Sequence, residues 1–423
     1  ASVQAEIDAL KAKVASLEQK IQPVARAEAT ANSEKGFTLV SSDAQTSIRL
    51  RGLLQVDTRW FNDTNIENDA ILIRRARLGL EGKFAETTQY QIIGEFAGTS
   101  ATLLDANVIL TYAPELQLEL GRFKTPVGLE QLQGDSSTLF FTERSVVSQL
   151  VPNRDIGVQL GGALFGGVVN YAVGLFDGTM DGGNNVTQTD YNDSKDIAAR
   201  VIISPWVKEK DSWLAGLSFG VAGTVGSQNA SSPLTSGYKS DGQQIIYAYN
   251  SGTVANGSVS RLTPQLSYYN GSFGLLAEYV TSRAEVKRNS VLGTLTHEAW
   301  QVEVGYVLTG EKARYTGVVP ATEFDRAKGT IGAVEVVARV ASIKFDNNSF
   351  VNGATTGFVN PATSAQSANT WGLGVNWYLN KFYRFSLDYE YTTFGLYPGA
   401  TATSNSVISQ PEHVVFTRYQ FSF

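Results

Sequence analysis

The chain has 423 residues, with 40 Gly, 21 Phe, 18 Tyr and 6 Trp against 11 Pro, one Met and no Cys. Its 34 Lys and Arg against 40 Asp and Glu leave a formal charge of -6, so no basic surplus points to a nucleic-acid partner. No run of eighteen or more apolar residues occurs, which excludes a membrane-spanning helix but not strands that alternate apolar and polar residues.

The first residues, Ala1-Ser2-Val3, carry neither the charged start nor the apolar core of a secretory signal, and the chain reads as already processed. The lack of cysteine fits an oxidising compartment such as the periplasm. Val3, Ile7, Leu10, Val14, Leu17 and Ile21 then recur at alternating spacings of four and three, a heptad seam. With Ile7, Val14 and Ile21 at a and Leu10 and Leu17 at d, Glu6 faces Lys11 and Lys13 faces Glu18 between parallel neighbours. Residues 1–24 are therefore expected to form a coiled-coil helix that assembles with like chains. A single amphipathic helix lying on another surface is the alternative. Pro23 ends the helix, and 25–44 reads as a polar linker.

From residue 45 the period changes from 3.5 to 2. Ile48, Leu50, Leu54, Val56 and Trp60 alternate with Arg49, Arg51, Gln55, Asp57 and Arg59; Leu72, Ala76, Leu78 and Leu80 alternate with Arg75, Arg77 and Glu81. Similar segments follow to the last one, Glu412 to Phe423, in which Val415, Thr417, Tyr419, Phe421 and Phe423 share one side and Val414, Phe416, Arg418, Gln420 and Ser422 the other. The total is about 16 strands, an all-β antiparallel transmembrane barrel over 45–423. Tight connections, as at 269–272, alternate with long polar ones at 177–195, 224–244 and 345–370, the asymmetry expected of short periplasmic turns and long outer loops. The connection over about 122–156 holds Lys124, Glu130, Glu143, Arg144 and Arg154 and is a candidate for folding back into the pore. An ordinary external loop is its alternative.

No nucleophile elbow, phosphate-binding P-loop or metal-ligand cluster is present, and His297 and His413 are the only histidines. The chain is not read as an enzyme, and no cofactor or metal is expected. What recurs instead is arginine on the polar parity: Arg49, Arg51, Arg59, Arg75, Arg77, Arg200, Arg339, Arg384 and Arg418. Facing lipid at the midplane, each would cost roughly 2–4 kcal/mol, so these side chains belong in the lumen. There they would pass an anion between weak sites, or each would pair with a lumen acid and brace the wall. Arg74 shares parity with Leu72 and Ala76 and departs from the pattern, as a strand end or a place beside the inward loop would allow.

Arg51-Gly52-Leu53-Leu54-Gln55, Ile73-Arg74-Arg75-Ala76-Arg77-Leu78, Gly121-Arg122-Phe123-Lys124 followed by Gly128-Leu129-Glu130, Glu143-Arg144, Leu308-Thr309-Gly310-Glu311, Gly332-Ala333-Val334-Glu335 and Leu373-Gly374-Val375-Asn376-Trp377-Tyr378 together resemble the phosphate- and polyphosphate-selective porins of Gram-negative outer membranes. The resemblance runs from about residue 45 to the C-terminus and leaves out the heptad segment. It implies a homotrimer of 16-stranded barrels in lipid and lipopolysaccharide, each with an anion pore narrowed by an inward loop. It also implies a constriction built from Arg49, Arg74, Arg75 and Arg144, with Asp105 and Lys124 nearby. Gln131 stands where phosphate-specific members carry a pore lysine, and Leu53 replaces an inward arginine, so anion preference is better supported than phosphate specificity. The expected function is passive diffusion of small anions across the outer membrane, phosphate or polyphosphate preferred. The alternatives are a non-selective diffusion porin, or a barrel that anchors a periplasmic coiled coil to a cell-wall partner.

Overall fold

The structure is a computed structural model that describes residues 2–20, 28–32, 36–62, 66–136, 139–185, 193–229 and 234–423. Sixteen antiparallel strands form one closed ring, from Ser47–Phe61 and Ala70–Phe84 to Tyr383–Gly395 and Glu412–Ser422. Closure comes from the last strand pairing with the first, Val414 opposite Phe61 through Ser422 opposite Leu53. Every strand edge of the ring is thereby satisfied.

Alternation decides the faces. In Ala333–Lys344 the inward Glu335, Arg339 and Ala341 are buried, while Val336 and Val340 are exposed on the outside. Ile73, Leu80, Ile92, Leu262, Trp371 and Leu387 extend that outer apolar surface around the ring. A continuous belt of this kind fits lipid and would be a liability in water. In the last strand Val414, Phe416, Arg418 and Gln420 are buried, as its inner parity requires.

Both ends of the barrel differ from expectation. At the end that carries Ser47 and Ser422, called here the terminal end, three connections are not short turns or plain linkers. Residues 204–216 and 308–332 are structured, and the expected linker contains strands Glu28–Asn32 and Gly36–Val40, which pair with each other, the second also pairing with Ser47 to Leu50. Parity cannot reveal such additions, since each uses sheet edges or turn geometry rather than a lipid face. At the far end the turn between Phe273–Arg288 and Val291–Val307 is only two residues long, held by Asn289 at φ 55°.

The helix Ser2–Lys20 is present, with Val3, Ile7, Leu10 and Val14 all exposed. Ile21 and Pro23 lie outside the described residues. No described helix is long and apolar enough to cross a membrane.

The connection 125–153 runs inside the barrel. Its backbone is satisfied by side chains of the wall: Leu129 N donates to Glu278 Oε1 (2.7 Å), Thr142 N to Asp388 Oδ2 (2.6 Å), and Asn376 Nδ2 donates to Phe140 O (2.7 Å). Phe140 and Phe141 fit against inner-wall glycines. A Cβ added at Gly305 would lie 2.5 Å from the Phe140 ring, and one at Gly372 would lie 3.0 Å from Phe141. Val146, Val147, Leu150 and Val151 join a core with Tyr247, Phe345, Phe350 and Phe358 of the far-end connections. From the terminal end, Tyr315 of the 308–332 segment donates its hydroxyl to Leu129 O (2.5 Å) and props the loop from below.

Candidate functional site

The tandem arginines sit at a fault in the sheet. Gln55 pairs with Arg75 and Val56 with Ile73, which leaves Arg74 without an opposite residue. This is a β-bulge, and it resolves the parity conflict of Arg74. Ile71 and Ile73 point outward before the bulge and Leu78 and Leu80 after it, so Arg74 and Arg75 both face the lumen. Leu72, opposite Asp57, lies on the inner side as well, contrary to the expected alternation.

Two carboxylates of the inward loop gather these arginines. Glu143 is bound by Arg74 through two nitrogens, the second at 2.9 Å, and lies 3.4 Å from both Arg59 and Arg418 and 3.9 Å from Arg75. Asp135 is bound by Arg144 at 2.6 Å, by Arg75 at 3.5 Å and by Arg77. Arg75 bridges the two nests and also donates to Gln55 Oε1 (2.7 Å). Burial alone would push both carboxyl groups up, but the surrounding arginines outweigh it and hold Glu143 and Asp135 below the ordinary carboxylate value.

Below this ring, toward the terminal end, opens a cavity of about 630 Å³. Arg49, Arg51, Arg77, Lys124, Arg154, Arg200 and Lys381 line it, against Asp105, Glu119 and Asp135. Cations outnumber acids seven to three there, a positive field in a confined space. The structure therefore brings Arg74, Arg75 and Arg144 together but leaves Arg49 in the vestibule, where it and Arg51 share Glu81 at 3.3 and 2.8 Å. Asp105 is clasped by Arg154 through two bonds of 2.8 and 3.1 Å. Lys124 donates to the carbonyls of Gln131 and Gln133, and Arg200 to the neutral Gln265 amide (3.0 Å). Leu53 lines the same cavity.

Three of the expected ladder residues do not face open space. Arg339 and Arg418 are fully buried and Arg384 nearly so. Arg418 forms a bidentate pair with Asp57, both bonds 2.7 Å; Arg339 meets Glu303 (3.2 Å), Asp241 (3.4 Å) and Glu390 under the Phe141 ring; Arg384 donates to Leu139 O. Their parity is as expected, but the inward loop covers that face, and they brace it.

Sequence reading did not single out Asp135 or Lys239. Asp135 follows Gly134 in a turn, and only the loop's path shows which arginines it meets. Lys239 belongs to a hairpin, Tyr238–Lys239 with Ile245–Tyr247, that enters the far-end mouth. Ser240 Oγ and Gly242 N donate to Glu412 (2.8 and 3.1 Å) and fix its tip. Burial, then Arg74 and Arg59, push the Lys239 ammonium down from its ordinary value.

Comparison with known proteins gives a consistent set of likenesses. The family model described as phosphate-selective porin O and P matches residues 48–423. Porin O of Pseudomonas aeruginosa is 24% identical over 405 residues, covering 86% of each chain. Among solved structures, the outer membrane channel DcaP of Acinetobacter baumannii superposes with a TM-score of 0.56 at 10% identity, over 90% of this chain and 98% of that one. The trimer form of OmpT from Vibrio cholerae gives 0.54 at 12% identity, and the anion-selective porin of Comamonas acidovorans 0.52 at 14%, each over 90% of this chain and 100% of that one. At these identities the structural likenesses establish the barrel fold.

Proposed function

The chain belongs to the phosphate-selective porin O and P family of outer-membrane channels, and on that premise we propose a passive pore that prefers small anions, phosphate or polyphosphate among them. One observation carries this reading: five arginines, Arg59, Arg74, Arg75, Arg77 and Arg144, converge on two loop carboxylates directly above a cation-rich vestibule. Guanidinium groups stay charged at every relevant pH and offer forked donors that match phosphate oxygens. An anion entering from the far end would meet Lys239, then Arg74, Arg75 and Arg144, and leave past Lys124, Arg200 and Arg49. Several weak sites in file let it enter and still depart.

In this reading the terminal end faces the periplasm, and the helix Ser2–Lys20 lies there. Three barrels associate, as the trimer form of the Vibrio cholerae protein does. The uncovered seam of Val3, Ile7, Leu10 and Val14, with the heptad spacing that the sequence alone carries on to Leu17 and Ile21, supports a coiled coil between protomers. Deleting residues 1–24 tests that part. Loss of the oligomer with single-barrel conductance intact supports a clamp, whereas an intact oligomer with lost envelope attachment supports a tether to a cell-wall partner.

The test of anion binding is phosphate titration against chloride current in single channels, for the natural chain and for Arg144→Ala. Saturable block in the first, weakened at least tenfold in the second, is expected. A non-selective porin would show little block in either.

A further inference from the structure

Asp135 differs from the acids of the barrel wall. Asp57, Glu81 and Glu303 are rooted in strands, whereas Asp135 is carried by the inward loop and reaches three arginines that come from two different elements, Arg75 and Arg77 from the bulged strand and Arg144 from the loop itself. Its two oxygens divide the donors, Oδ1 taking Arg144 (2.6 Å) and Arg75 (3.5 Å) and Oδ2 taking Arg77. This is how an oxyanion would be held, by forked donors on several sides. Asp135 and Arg77 are among the residues that line the 630 Å³ vestibule, with Arg75 and Arg144 behind them, so a solute anion approaches the nest from open space through Arg77.

We propose that Asp135 is a tethered surrogate anion: its carboxylate occupies the arginine nest between passages, and a permeating phosphate takes its place. The proposal rests on the anion-pore reading above and adds to it a competitor built into the loop. The Asp135 backbone is fixed, because Gln55 Nε2 donates to Asp135 O (2.7 Å) and Gln420 to Ser136 O. The exchange therefore needs only rotation of the short side chain, not movement of the loop. Gln55 and Arg75 hold one another, so the nest keeps its shape when the carboxylate leaves. Glu143 is the contrasting case. Its side chain is as enclosed as that of Asp135, but it is gripped by Arg74 through two bonds and does not line the vestibule, so it remains a fixed brace.

The surrogate has a functional consequence. An empty nest of three arginines would bind phosphate tightly and release it slowly, whereas a nest that refills with its own carboxylate expels the bound ion. Asp135 would thus set throughput at the expense of affinity.

The experiment is orthophosphate titration of single-channel chloride current in the full-length protein, comparing the natural chain with Asp135→Asn, Asp135→Glu and Glu95→Gln. Asp135→Asn removes the competitor at constant shape, and the phosphate concentration that halves the current should fall at least tenfold, with longer blocked times. Asp135→Glu retains a carboxylate and should stay within about threefold of the natural chain. Glu95 pairs with Arg77 at 2.8 Å outside the nest, so Glu95→Gln adds the same unit of positive charge without emptying it and should shift the block less than threefold. Equal shifts in Asp135→Asn and Glu95→Gln would mean a general field effect and overturn the proposal, as would unchanged or weakened block in Asp135→Asn. Block in the natural chain that Asp135→Asn leaves unaltered sinks the surrogate alone. Absence of block in every variant sinks the anion-pore reading with it.

Discussion

The two sides of the lumen carry the same sequence signal and put it to different uses. Along the wall from Ser47–Phe61 round to Asp196–Ile203, inward arginines border an open vestibule. Along the wall from Leu217–Gln228 to Glu412–Ser422, inward residues meet the loop 125–153 and the far-end hairpin, and Arg339, Arg384 and Arg418 are sealed beneath them. An arginine on the inner parity is therefore a transport residue only where nothing is packed over it. Elsewhere it is a clamp on the part that narrows the pore.

The largest difference between the sides should appear in stability. Arg339→Met leaves Glu303, Glu390 and Asp241 without their shared cation, and removing one partner of a buried charge cluster costs about 3–5 kcal/mol. Urea titration of the barrel folded into vesicles should show that loss, while channels that do assemble keep the natural ion preference. A comparable loss of selectivity would erase the distinction between clamp and pathway.

Gly305→Val probes the same boundary through packing. The new side chain would intrude on the Phe140 ring, and overpacking of this kind costs about 1–3 kcal/mol. The loop should yield before the wall does, so single-channel conductance should rise and phosphate block weaken together. An unchanged conductance would mean that Phe140 does not position the narrow part.

A smaller effect is expected from pH. Glu143 and Asp135 have folded pKa values below the ordinary carboxylate value of about 4, so their contribution to loop docking is complete above that pH. It is lost only as pH falls through the lower folded values. The excess open-channel noise of Glu143→Gln over the natural chain should therefore stay constant from pH 7 to about 4 and shrink below it. An excess that already shrinks between pH 6 and 5 would show that the arginines do not hold this carboxyl group.

Much of this architecture was legible in the residues. The period of two, the arginine parity and the inner and outer faces of the last strand all follow from side-chain alternation, and the tandem arginines marked the place where alternation fails. Alternation names a face but not what covers it. For that reason the burial of Arg339 and Arg418, the position of Asp135 and the hairpin bearing Lys239 emerged only with the path of the connections. Arg49 was drawn to the constriction by resemblance, yet the strand rise of about 3.3 Å per residue places it six residues, roughly 20 Å, from Gln55, which faces Arg75. The segment 308–332 carries no period at all, and its support of the loop rests on one residue, Tyr315, whose hydroxyl donates to Leu129 O and whose carbonyl accepts from Gln133 Nε2.

The central claim is that the uncovered arginines govern which ions pass, and the zero-current potential of single channels across a tenfold potassium chloride gradient tests it most directly. A potential of the sign set by chloride is expected, moving further in that direction in Asp135→Asn and back toward zero in Arg144→Ala. A potential of the sign set by potassium in the natural protein would contradict it.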